Sequence, residues 1–240
     1  YGRAILGLGV LLNSNLNENI KRNDKFIIDN ALKDLDKLKS IRPKAYSIIG
    51  LYYYYKSYKS EETLKSIKKL ANDLLKNYKN YSTEDWNWFE DSITYANGTI
   101  SESLFLAYEL TGDKSFLDIA EKSLAFLTSL VIIDNKLVPI GHNGWYNKGE
   151  RRAFYDQQPI DASAMVQAYM AAYKVTKDES YREKAALSYS WFLGKNSINQ
   201  VIYDESTGGC YDGLLPDCVN LNQGAESTIC HLLARFSLEE

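Results

Sequence analysis

The chain has 240 residues, 45% of them hydrophobic and 25% charged, with a formal net charge of −3. That length buries a core without covalent staples, and that charge excludes nucleic acid or an anionic membrane surface as the natural partner. The three cysteines, Cys210, Cys218 and Cys230, are an odd set near the C-terminus, which argues against a disulfide framework and for a reducing, cytoplasmic setting.

Gly2 to Leu12 is apolar nearly all round and reads as a buried helix or strand, with Leu6, Leu8 and Leu11 favouring helix; it is too short to span a bilayer and lacks a basic flank or cleavage signature. Asn13 to Asn23 is a polar loop, and Asn23 to Ser40 carries Phe26, Ile27, Ala31, Leu35 and Leu38 on one face, an amphipathic helix. Pro43 opens a helix whose stretch Ala45 to Tyr55 is again apolar all round. From Ser60 the chain turns into an amphipathic helix with Leu64, Ile67, Leu70, Ala71, Leu74 and Leu75 on one side. The alternation continues: Ser92 to Leu110 buried, Ser115 to Val131 amphipathic, Gln158 to Val175 buried, Ser180 to Gly194 amphipathic, Gln223 to Phe236 buried.

An internal repeat fits this alternation. Thr111-Gly112-Asp113-Lys114-Ser115-Phe116 matches Thr176-Lys177-Asp178-Glu179-Ser180-Tyr181, each at a turn from a buried to an exposed helix, and Ser60-Glu61-Glu62-Thr63-Leu64 is a weaker copy. Stacked hairpins with apolar inner helices and half-wet outer ones predict an all-α chain, a single (α/α) toroid domain over residues 1–240. With about nine helices the six-hairpin barrel is incomplete. Either the ring is open, or the preceding part of a longer protein closes it; Tyr1 is no start methionine, so the chain is expected to be a fragment of a longer protein.

Parallel inner helices place their N-terminal ends on one rim. Three polar clusters precede inner helices: Trp86-Asn87-Trp88-Phe89-Glu90-Asp91, Phe154-Tyr155-Asp156-Gln157-Gln158-Pro159-Ile160-Asp161, and Asn220-Leu221-Asn222-Gln223-Gly224-Ala225-Glu226-Ser227-Thr228. Long connections, one carrying Gly141-His142-Asn143-Gly144-Trp145, reach the same rim. These motifs, with Trp191-Phe192-Leu193-Gly194-Lys195-Asn196, resemble over residues 86 to 236 a family of bacterial and archaeal domains similar to six-hairpin glycosidases and often fused behind glycosyltransferases. The resemblance implies an α/α toroid that acts on or binds an oligosaccharide, with a glycosyltransferase domain as fused or associated partner.

Glycoside cleavage needs an acid to protonate the leaving oxygen and a second carboxylate about 5 to 10 Å away. Asp156 and Glu90 precede their helices and do no obvious capping, so they are the leading catalytic candidates, with Glu226 or Asp212 as partner. Asp161 and Glu226 fall in first turns and Asp91 could cap a helix, where a carboxylate is also explained by the helix dipole. Trp86, Trp88 and Trp145 offer flat faces to sugar rings, while Asp91, His142, Gln157, Gln158, Asp161, Asn222 and Gln223 supply donors and acceptors for hydroxyl groups. Packing and loop-tying are the competing roles of these tryptophans and amides. Arg151-Arg152 reads as a solvated charge pair.

Two other function classes compete: a non-catalytic carbohydrate-binding module, and a zinc-dependent cyclase or transferase built on Cys210, Asp212, Cys218, Cys230 and His231. Adjacent helix positions point about 100° apart, so Cys230 and His231 cannot readily share one ion. No metal and no cofactor is expected.

Overall fold

The computed structural model describes residues 1–239. Nine α-helices follow in order among them: α1 (Gly2–Leu12), α2 (Glu18–Ala31), extended by a 3₁₀ turn over Leu32–Lys37, α3 (Ile41–Tyr58), α4 (Glu61–Tyr81), α5 (Gly98–Thr111), α6 (Lys114–Val131), α7 (Pro159–Thr176), α8 (Glu179–Tyr189) and α9 (Ala225–Glu239). The odd-numbered helices pack on one another in succession, and each of α2, α4, α6 and α8 packs outside the odd helix before it. The architecture is therefore the expected α/α toroid, with five inner and four outer helices. Among the described residues no helix is long and apolar enough to cross a membrane.

Burial explains the layering. α5 buries every residue from Gly98 to Ala107, whereas α4 buries only Thr63, Ile67, Leu70, Ala71, Leu74 and Tyr78, one stripe at helical spacing. The α1–α3 contact is closer than side chains allow: a Cβ on Gly9 would lie 2.0 Å from the Gly50 carbonyl oxygen, and one on Gly50 2.3 Å from that of Ile5.

The sequence repeat is one turn used again. Three inner helices end in left-handed residues, Lys59, Gly112 and Lys177 (φ 50°, 68° and 61°). After the latter two, Thr111 and Thr176 hydroxyls accept from the Asp113 and Asp178 N–H groups, and those aspartates cap the next helix by accepting from the N–H groups of Ser115 and Ser180 (3.0 and 2.9 Å).

Three expected boundaries shift. α2 starts at Glu18, because the Asn17 side chain caps it by accepting from the Asn19 N–H at 2.8 Å. α5 starts at Gly98, not Ser92, because Ser92–Ile93 pairs antiparallel with Tyr146–Asn147 and Asn97 closes a turn on Thr94. α8 stops at Tyr189, where the chain turns to bury Trp191 and Phe192 completely. Three further short pairs, Ile132–Ile133 with Lys136–Leu137, Tyr203–Asp204 with Gly209–Cys210, and Gly213–Leu214 with Val219–Asn220, stiffen the connections.

Candidate active site at the rim of the inner helices

The N-terminal ends of the inner helices converge. Asp161, in the first turn of α7, is 5% exposed; its Oδ1 accepts from the Ala96 N–H just ahead of α5 at 2.7 Å, and its Oδ2 lies 2.7 Å from His142 Nε2. Burial pushes its carboxyl above the usual carboxylate range, while His142, the Ala96 amide and Arg42 pull against that rise without cancelling it.

The connection carrying His142 is pinned backbone to backbone. Gly141, His142 and Asn143 donate their N–H groups to the carbonyls of Ala153, Asp156 and Tyr155 (2.9, 2.8 and 3.1 Å). A side chain at position 141 would meet the Tyr155 carbonyl oxygen at 2.1 Å, so glycine is needed for this approach. His142 then lies against Trp145, ring centroids 4.2 Å apart, and Trp145 faces Tyr95 at 6.2 Å. Tyr95 and Trp145 leave an aromatic surface partly open beside Asp161.

Glu90 belongs to this assembly through Arg42, in the first turn of α3, whose Nη1 donates to Glu90 Oε2 at 3.0 Å. Asp156 is half-buried where the connection meets α7; its carbonyl holds His142, and its carboxylate has no hydrogen bond or ion pair among the described residues. Glu226, in the first turn of α9, is exposed and pairs with Arg3 of α1 at 2.7 Å, across the open side of the ring.

The other candidates have different duties. Trp86 and Trp88, expected to face sugar, are 3% and 0% exposed and belong to the core: the Trp86 ring packs edge-on against Phe126 and Tyr146 and its Nε1 donates to the Glu90 carbonyl, while Trp88 packs on Phe89. Asp91 is exposed and caps no helix; its carbonyl accepts from the Lys148 N–H. Gln157 is fully buried and ties the Trp191 indole, Ser197 and the Phe154 carbonyl together. Gln158 stands at the start of α7 without capping it by its side chain. Asp212 caps α9 from a distance, accepting from the Gly224 N–H at 2.9 Å, the Ser227 hydroxyl at 2.5 Å and the Asn222 amide, which holds its carboxyl below the usual range. Gln223 donates to Asp204 and accepts from Thr207.

Cys230 packs with Ala96 and Ile160, while His231 stacks on Tyr203 and bonds Tyr189, so the two residues face different surroundings. Arg152 is no solvated charge: its guanidinium donates to the carbonyls of Leu130, Val138 and Pro139. Arg3, Arg42, Tyr95 and Asn97 were not singled out from sequence. One signal did exist, since Arg42 is a cation in the first turn of a helix, where the dipole is unfavourable unless a partner compensates.

The model for glycosyl hydrolase family 88 matches residues 66–203. No protein of curated function matches the sequence. Among solved structures, the chain is similar to a GH76 α-mannanase of Bacteroides thetaiotaomicron (13% identity, TM-score 0.67, covering 99% of this chain and 66% of that one). It is similar also to the unsaturated glucuronyl hydrolase of Bacillus sp. GL1 (12%, 0.73, 99% and 67%) and to a D-mannose isomerase (16%, 0.66, 98% and 68%). The chain thus spans about two thirds of each of these longer chains. At such identities the likeness establishes the six-hairpin fold.

Proposed function

The chain belongs to glycosyl hydrolase family 88, and from that premise we propose that it hydrolyses a glycosidic bond of an oligosaccharide at this rim, with Asp161 as proton donor. The observation that carries the reading is the burial of Asp161, with its raised pKa, between His142 and the Ala96 amide. A carboxyl whose burial favours the protonated form can deliver its proton to the leaving oxygen as the bond to the anomeric carbon breaks. Asp156 is the second carboxylate: without a hydrogen-bond or ion-pair partner among the described residues, it takes the proton of the attacking water. Tyr95 and Trp145 line the sugar subsite. A shallow binding module would not need an acid buried in this way.

The His142–Asp161 contact also favours a second reading, proton shuttling in a sugar isomerase or epimerase, the activities named for two neighbours. A glycosyltransferase partner rests on the motif resemblance, and a cytoplasmic setting on the unpaired cysteines.

The test is to incubate wild type, Asp161→Asn and Asp156→Asn with unsaturated glucuronyl disaccharides, manno-oligosaccharides and free mannose. New reducing ends from wild type alone support hydrolysis. Conversion of mannose without new ends favours the isomerase, and binding without any conversion ends the enzyme reading.

A further inference from the structure

We infer that Arg42 is the positioning residue of this site, holding both oxygens of Asp161 in place without contacting substrate; the inference rests on the proposed role of Asp161. The Arg42 side chain is about one-tenth exposed, and each of its three nitrogens has one acceptor: Nε the Tyr95 carbonyl at 2.7 Å, Nη1 Glu90 Oε2 at 3.0 Å and Nη2 Asn97 Oδ1 at 3.0 Å. All three acceptors lie on the segment between α4 and α5, 48 to 55 residues away in sequence. A planar fork can satisfy such a set, and an ammonium cannot.

The clamped segment is the one that addresses Asp161. Asn97 accepts from the Thr94 N–H and donates to the Thr94 carbonyl, closing a turn in which Ala96 takes a left-handed conformation (φ 47°) and its N–H meets Asp161 Oδ1. Ala96 is not glycine, so this left-handed conformation is strained and needs a rigid frame. Above the fork the Tyr95 ring lies with its centroid 4.9 Å from the guanidinium carbon. Tyr95 meets Trp145, Trp145 meets His142, and His142 meets Asp161 Oδ2. The circuit closes on Arg42 from both sides: one arm fixes Oδ1 through the backbone, the other fixes Oδ2 through three rings.

Arg42→Lys keeps the charge and loses the fork. Its expected result is an acceleration of Ala96 amide exchange by about 100-fold, with unchanged exchange at Leu104 inside α5 and a shifted His142 imidazole resonance. On whichever glycoside the screen above shows to be cleaved, kcat falls about 100-fold at nearly constant KM. Retained protection at Ala96, or equal loss at Ala96 and Leu104, overturns the inference. If Arg42→Lys does not fold, Asn97→Ala removes a single prong, and a selective loss at Ala96 is again required. The exchange readout needs no substrate, so absence of hydrolysis by wild type would sink the proposed function and leave this test standing.

Discussion

Gly9 and Gly50 meet backbone to backbone, with no space for a methyl group on either. The first inner contact of the ring therefore depends on two missing side chains. Gly50→Ala is expected to destabilise the fold by about 3 kcal/mol, because α1 must move away from α3. Gly7→Ala, on α1 with nothing within 4 Å of its added carbon, should instead stabilise by about 0.5–1 kcal/mol. Urea unfolding of both variants decides the matter, and equal effects would refute the close-contact account.

Asp161 links activity to pH. Its folded pKa lies above its ordinary value of 3.8, so the folded chain keeps this proton where the unfolded chain has lost it. The residue's contribution to stability therefore declines as pH rises from the unfolded value through the folded one. Asp161→Asn carries no such proton and should gain in melting temperature relative to wild type as pH rises across that window. As general acid, Asp161 should also set the alkaline limb of any pH–rate profile. A melting difference independent of pH would contradict the assignment.

Thiol chemistry should separate the three cysteines. Cys218 is exposed, whereas burial pushes the Cys210 and Cys230 thiols up to about 12, leaving almost no thiolate at neutral pH. An Ellman titration of the native chain should show one fast thiol, with the other two appearing only in denaturant. Two fast thiols would mean that α9 is less firmly seated than described.

Arg152 and Arg151 are adjacent and should behave oppositely. Arg152→Met orphans the carbonyls of Leu130, Val138 and Pro139 and is expected to cost about 3 kcal/mol. Arg151 is exposed, and Arg151→Met should stay within about 0.5 kcal/mol. Denaturant midpoints measure both, and a neutral Arg152→Met would show that water replaces the guanidinium.

The layering was legible because it is written locally. Inner helices such as α5 are buried nearly all round, outer ones such as α4 carry one stripe, and the Thr-x-Asp-x-Ser repeat encodes a cap within five residues. The site was legible only as a neighbourhood. An acid in a first turn already has a local explanation, and what sets Asp161 apart comes from Ala96, 65 residues earlier, and from His142. Trp86 and Trp88 failed as sugar platforms because ring type does not reveal side-chain direction, and the segment that follows α4 buries both. Arg42 escaped notice because its partners are distant in sequence and only the fold assembles them.

Arg3 and Glu226 bridge the open side of the ring at its rim, yet lower down α9 leaves Ile229, Leu232, Leu233 and Phe236 between 38% and 56% exposed. A polar latch above an apolar strip behaves as a hinged clasp: salt weakens the latch, while the strip grows more cohesive as ions are excluded from it. Ionic strength and protein concentration are thus coupled variables for this molecule, and its colloidal behaviour should worsen when both are raised together.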